Sequence, residues 1–241
     1  SRPCGGFSRM SDLSCGGASL LCYRVRARFF AAFGAFGMLS VRLPLFAVLC
    51  LALAGCDGMG MRSVPDPSVS PRDAKFLAEV PVVQLEPQYE RYEVAYQTKE
   101  VPGTIIVDTD QNFLYFVLPD QKAIRYGVAT GTEAAGWTGT ATVGHKAEWP
   151  HWTPPAEMVA RWPHLKPTLA AGGLPGGPDN PLGARALYLF DKGRDTLYRI
   201  HGTNEPETIG RGASSGCIRM RNIDVIDLYN RVKVGAKVVV K

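Results

Sequence analysis

The chain has 241 residues, six cysteines and a formal charge of +5, but the charge is unevenly held. Six of the 27 basic side chains and one of the 22 acids fall in residues 1–56, leaving 21 of each for residues 57–241. That neutral body carries no basic run, which argues against nucleic acid as its main partner, because such affinity rests on clustered Lys and Arg.

Residues 1–37 do not begin with Met and are rich in Arg, Cys, Gly and Phe without clear periodicity. They read as an over-extended N-terminus, with Met38 as the start; a start at Met10 would give an unusually long export signal. Residues 38–56 then read as a signal peptide, with Arg42 as the basic start and an apolar run from Leu43 to Gly55. That run is short of the roughly 20 residues of a spanning helix. Its end, Leu53-Ala54-Gly55-Cys56, resembles the lipobox of bacterial lipoproteins, in which the cysteine is acylated and becomes the first mature residue. The expectation is an exported, periplasmic protein anchored to the membrane by lipid at Cys56. Cys217 is then the one cysteine of the mature body, and a solitary thiol in an oxidising compartment points to catalysis.

Residues 57–90 mix Gly, Met, Ser, Pro and charge, as in Pro65-Asp66-Pro67-Ser68, and read as a flexible tether. Residues 91–241 read as one mostly-β domain. Strands are expected at Thr104–Thr109, Phe113–Leu118, Ala123–Ala129, Thr138–His145, Ala186–Phe190, Thr196–His201 and Lys237–Val240, where β-branched and aromatic residues alternate with turn chemistry. Asp191-Lys192-Gly193-Arg194-Asp195 reads as a hairpin turn rather than a calcium loop, which would need more acids. Thr153 is expected to cap a helix running toward Trp162. Asn222 is expected to cap a second, with Asp224 near its positive end and Ile223, Ile226 and Leu228 buried.

Cys217 offers a sulfur nucleophile, and His201, at the end of a predicted strand, offers the base that a thiol of ordinary pKa needs. Gly202 gives the backbone beside it freedom to present a carbonyl. The small residues Ser214-Ser215-Gly216 let the N–H groups of Ser215, Gly216 and Cys217 converge as an oxyanion hole, though in isolation the same residues make an ordinary turn. Arg219 shares the strand face of Cys217 and suits either a substrate carboxylate or a structural ion pair. His145, His151 and His164 lie in or beside a stretch dense in Trp and Pro, and their spacing fits no metal signature. No cofactor or metal is expected. That stretch, Trp152 included, and the run Gly172-Gly173-Leu174-Pro175-Gly176-Gly177 read as the wall or lid of a substrate groove, or else as packing.

His201-Gly202, followed by Ser214, Gly216, Cys217, Ile218 and Arg219, resembles the signature of the L,D-transpeptidase catalytic domain family (YkuD-type) of bacterial cell-wall enzymes. The resemblance extends through Gly103–Asp108, Trp152–Pro155 and Asn180–Leu189, roughly the last 140 residues. One departure is Ser215, where many members carry a second His, so a proton-transfer role at that position is unsupported. The resemblance implies a β-sandwich-like fold with the cysteine at a strand edge, and a Gly202 carbonyl that orients His201 in place of a carboxylate. It implies peptidoglycan stem peptides as partners, cleaved through an acyl-enzyme on Cys217 that an amine acceptor resolves; water as acceptor would make the same site an L,D-carboxypeptidase. A non-catalytic peptidoglycan-binding lipoprotein and a cysteine peptidase are the rival readings.

Overall fold

The computed structural model describes residues 61–131, 138–214 and 216–241. The expected signal peptide and Cys56 lie outside these, as does Ser215. The described residues form twelve strands: β1 (Arg62–Ser63), β2 (Tyr92–Ala95), β3 (Ile105–Asp108), β4 (Phe113–Leu118), β5 (Lys122–Gly127), β6 (Thr130–Gly131), β7 (Gly139–Glu148), β8 (Arg185–Asp191), β9 (Arg194–His201), β10 (Gly212–Ser214), β11 (Ile218–Arg219) and β12 (Lys237–Val240). Four α-helices accompany them: α1 (Pro71–Leu77), α2 (Ala156–Arg161), α3 (Lys166–Ala170) and α4 (Asn222–Arg231). Among the described residues no helix is long and apolar enough to cross a membrane.

The mostly-β expectation is met. Ten strands make one sheet in the order β1-β2-β5-β4-β3-β12-β7-β8-β9-β11, and β10 pairs with β6 in a separate two-stranded ladder. Most neighbours run antiparallel; β12 with β3, β11 with β9 and β10 with β6 run parallel. The period of two along a strand explains the apolar runs. In β3, Ile105 and Val107 enter the main core, which also takes Leu114, Tyr126, Leu187, Leu189, Ile200 and Ile218. Ile106 points the other way, into a smaller cluster with Tyr115, Val117 and Ala123. Both faces of this part of the sheet are therefore covered.

Helix α4 closes the main core with Val225, Ile226 and Leu228. Unusually, its polar side chains also face inward. Asp227 accepts a 2.7 Å bond from the buried Tyr126 hydroxyl, and Asp224 accepts from Arg91 and Arg221. Ile223, expected inside, is only half-buried, and Val225 takes its place. Asn222 is not the cap: the N-cap is Arg221, and the Asn222 side chain bonds elsewhere. The helix after Trp152 likewise starts later than expected, at Ala156 with Pro155 as its N-cap, while the Thr153 hydroxyl lies 3.5 Å from His151 Nδ1. The hairpin at Lys192-Gly193 is formed as expected, with Asp191 opposite Arg194.

The tether reading of residues 57–90 needs correction for its described part. From Arg62 the chain is built onto the domain. β1 adds to the sheet edge, and α1 carries a capping box in which Ser70 and Asp73 bond each other's backbone. Asp73 is buried and accepts two bonds from Arg185, at 2.8 and 2.9 Å, and one from Trp149 Nε1 at 2.8 Å. These partners hold its carboxyl well below the usual carboxylate range. Phe76 packs edge-on against Trp149. A Pro- and Ser-rich composition suggested a linker, but one carboxylate facing a buried guanidinium and an indole N–H fixes the segment in place.

Candidate active site

The site is made by the last strand pair of the sheet. β9 and β11 run side by side with Ile200 opposite Ile218 and His201 opposite Arg219. In a parallel pair, directly opposed residues point to the same face. Ile200 and Ile218 enter the core, so His201 and Arg219 project on the other face, which Arg199 in β9 and Cys217 just before β11, each two residues earlier, share by alternation. The register thus brings the end of β9, with His201, alongside the short strand that follows Cys217.

His201 is almost fully buried, and its Nδ1 lies 2.6 Å from the Gly202 carbonyl oxygen. A carbonyl only accepts, so the Nδ1 that faces it carries the proton, and a base role would fall to Nε2; the Pro181 carbonyl also bears on the ring. Burial pushes the imidazole pKa down to about 4, and the Arg219 charge adds to this, while the Gly202 carbonyl pulls the other way. At neutral pH the ring is therefore an uncharged acceptor. Gly202 itself is obligatory: a Cβ there would run into Asn222 Oδ1 and lie 2.9 Å from the Ala184 nitrogen.

Cys217 is half-buried as a residue, with its sulfur deep among neighbouring atoms. Its Sγ lies 4.0 Å from the Leu197 carbonyl oxygen. Burial raises the thiol pKa above its ordinary value, whereas the Arg199 N–H and the charges of Arg199 and Arg219 pull it back. Burial thus favours the uncharged form of both the thiol and the imidazole. The two guanidinium groups act in a consistent sense on both partners: each disfavours imidazolium and favours thiolate.

Of the remaining predicted residues, Ser215 lies outside the described residues and the others are placed as follows. Gly216 sits just before Cys217 with φ of 116°, a conformation that suits glycine alone. Arg219 Nη1 pairs with Glu205 at 3.0 Å, and Glu205 is half-exposed. The Arg219 main chain exchanges two 2.9 Å bonds with Ala129, tying the site to the strands before β6. Trp152 exchanges main-chain bonds with Leu174, which joins the Trp-Pro stretch to the Gly-rich one. Asn180 Nδ2 gathers the same two stretches by donating to the carbonyls of Pro150, Leu174 and Pro175. A depression of about 270 Å³ lies between this wall and Phe76 of α1, but neither His201 nor Cys217 lines it. Trp149, from the same stretch, is core. His145 lies against the Tyr188 ring at a tilt, and no three His, Cys, Asp or Glu side chains converge among the described residues.

Several residues that shape the site carried no sequence signal of their role. Leu197 interrupts β9 with φ of 64°, and around it the register with β8 shifts between Tyr188 and Phe190. This bulge turns the Leu197 carbonyl toward Cys217 Sγ. Arg199 is locked by two 2.7 Å bonds from its guanidinium to Asp195 and lies over the Tyr188 ring, so its charge is fixed next to Cys217. Asn222 braces the backbone behind His201. A residue in the left-handed region amid a β-branched run, or an Asn that skips its expected cap, becomes visible only in three dimensions.

Residues 102–240 match the family model described as L,D-transpeptidase catalytic domain. A probable L,D-transpeptidase of Escherichia coli, YbiS, is 46% identical over 140 residues, which are 56% of this chain and 43% of YbiS. YqjB of Bacillus subtilis is 36% identical over 144 residues, 58% of this chain and 73% of YqjB. The match therefore spans most of one relative and less than half of the other. The crystal structure of a probable carnitine operon oxidoreductase from Brucella melitensis is 47% identical, with 65% of this chain and 96% of that chain covered at a TM-score of 0.46. On the extent of the family match and the identity to YqjB, the chain belongs to the L,D-transpeptidase catalytic domain family.

Proposed function

We propose that the protein is a cysteine-dependent peptidoglycan L,D-transpeptidase. The observation that carries this reading is the hydrogen bond from His201 Nδ1 to the Gly202 carbonyl, beside the strand that follows Cys217, because a ring held by that nitrogen keeps Nε2 as the one that can take a thiol proton. As Cys217 Sγ attacks the amide carbonyl between the third stem residue and the terminal D-Ala, His201 takes the thiol proton. The tetrahedral oxyanion is met by the N–H groups of the Ser215–Cys217 turn. Collapse breaks the C–N bond, and His201 returns the proton to the departing D-Ala amine. A thioester remains on Cys217. An acceptor amine, deprotonated through His201, attacks that thioester and restores the thiol, giving a 3→3 cross-link or a link to an envelope protein.

Arg219 and Trp152 are the side chains proposed to meet the stem peptide, Arg219 by exchanging Glu205 for a substrate carboxylate. Lipid attachment at Cys56 would hold the domain at the periplasmic membrane surface, with the chain from Arg62 already part of the domain. Incubation of the purified domain with disaccharide-tetrapeptide, followed by mass spectrometry of the muropeptides, tests the reaction. Cross-linked dimers lacking one D-Ala support it; tripeptide alone assigns a carboxypeptidase; unchanged substrate rejects both.

A further inference from the structure

Behind His201 the structure builds a second layer that the cysteine–histidine pair does not explain. Asn222, the first residue of α4, is buried, and its amide is spent on main chain. Its Oδ1 accepts from the N–H groups of Ala184 at 2.9 Å and Thr203 at 3.2 Å. Its Nδ2 donates to the Thr203 carbonyl at 2.8 Å. The fit is close on both sides, because a Cβ on either Gly183 or Gly202 would strike the same Oδ1.

The Thr203 N–H and the Gly202 carbonyl are the two ends of one planar peptide group. One end accepts from His201 Nδ1 at 2.6 Å, and the other donates to Asn222 Oδ1. We infer that Asn222 is a positioning residue of the active site: through the Gly202–Thr203 peptide it sets the direction and acceptor strength of the carbonyl that holds His201 in its Nδ1-protonated form. Because the peptide is rigid, a bond at its N–H end fixes the rotation that would otherwise swing the carbonyl off the ring. Because hydrogen bonds in series polarise one another, the same bond makes that carbonyl a better acceptor. Asn222 thus does, one peptide removed, what a side chain bonded directly to the imidazole does in other triads. Its Ala184 bond ties the arrangement to the start of β8, where Ala186 stands opposite His201.

The inference rests on the cysteine–histidine reading above, but its test does not need the proposed substrate. Nitrogen-15 spectra of His201 in the full chain report the tautomer directly, and iodoacetamide reports Cys217 reactivity. In Asn222→Ala, the ring should leave the single Nδ1–H form for a mixture with Nε2–H. The pH profile of Cys217 alkylation should shift with it, in protein whose melt remains cooperative. On stem peptide, kcat should fall about 100-fold with KM held within about twofold, the pattern of a misaimed base. Asn222→Asp keeps an acceptor for both N–H groups but replaces the bond to the Thr203 carbonyl with a contact between two acceptor oxygens and adds a negative charge. It should retain the Nδ1–H form and raise the His201 midpoint above that of the wild type. A folded Asn222→Ala protein with an unchanged tautomer overturns the inference, as does an Asn222→Asp protein that switches tautomer or keeps its midpoint; the Asp variant decides alone if the Ala variant does not fold. A wild type that shows the tautomer yet turns over no stem peptide would reject the proposed function and leave this inference standing.

Discussion

Acid should destabilise this domain through His201 by an amount that follows from its burial. The imidazole is held at about 4 in the folded chain against 6.5 for an ordinary histidine. A depressed folded pKa means that the unfolded chain takes up the proton first. Stability is therefore unaffected by this group above about pH 6.5, and it is lost as pH falls from there through about 4. The displacement corresponds to about 3 kcal/mol by pH 4. Urea unfolding at pH 7 and pH 4 of the wild type and of His201→Gln, which has no proton to gain, isolates the contribution, since the carboxylates titrate alike in both. The wild type should lose about 3 kcal/mol more than the variant over that interval. Parallel losses in the two proteins would mean that His201 is not the buried neutral base described above, and the direction of proton transfer would have to be reassigned.

Alkylation of Cys217 should rise continuously from pH 7 to beyond 9, because the thiol is raised rather than lowered; a plateau between pH 5 and 7 would indicate a standing ion pair instead. Cys217→Ala should reduce turnover on the order of 10³-fold or more with an unchanged melting temperature, and retained cross-linking would sink the nucleophile assignment. Asp73→Ala removes one partner of a buried pair and strands both Arg185 and the Trp149 N–H. It should cost about 3–5 kcal/mol in urea unfolding, whereas a loss under about 1 kcal/mol would return residues 70–77 to the status of a tether. Leu197 is 76% exposed, so burial plays little part in replacing it. Leu197→Val should nonetheless melt lower than Leu197→Gly, because a β-branched residue resists the left-handed backbone; equal melts would remove the strain argument.

What could be read from the sequence was what short-range pattern controls. β4 and β12 occupy the expected residues, and β3, β5, β7, β8 and β9 differ at their ends by a few positions, because apolar alternation and flanking turn residues are local signals. His201 at the end of β9 followed from the same pattern. β10 and β11 did not: at three and two residues they carry no period and exist because β6 and β9 supply their hydrogen-bond partners. The Ser70-Pro71-Arg72-Asp73 start of α1 was present as a capping box, but Asp73 gains its meaning from Arg185, 112 positions away. Asn222 shows the opposite error. Its type and place suited a cap, and the side chain instead turned inward to the Thr203 main chain, a choice set by the tight approach of Gly183 and Gly202.

The account stands or falls on a thioester at Cys217. Rapid mixing of the purified domain with a tetrapeptide stem in the absence of acceptor amine, an acid quench, and intact-mass measurement with peptide mapping would capture it. The predicted result is a single adduct with the mass of the stem less its terminal D-Ala, located on the peptide that contains Cys217 and absent from Cys217→Ala. Release of D-Ala at an undiminished rate by the Cys217→Ala protein, with no adduct on the wild type, would contradict it.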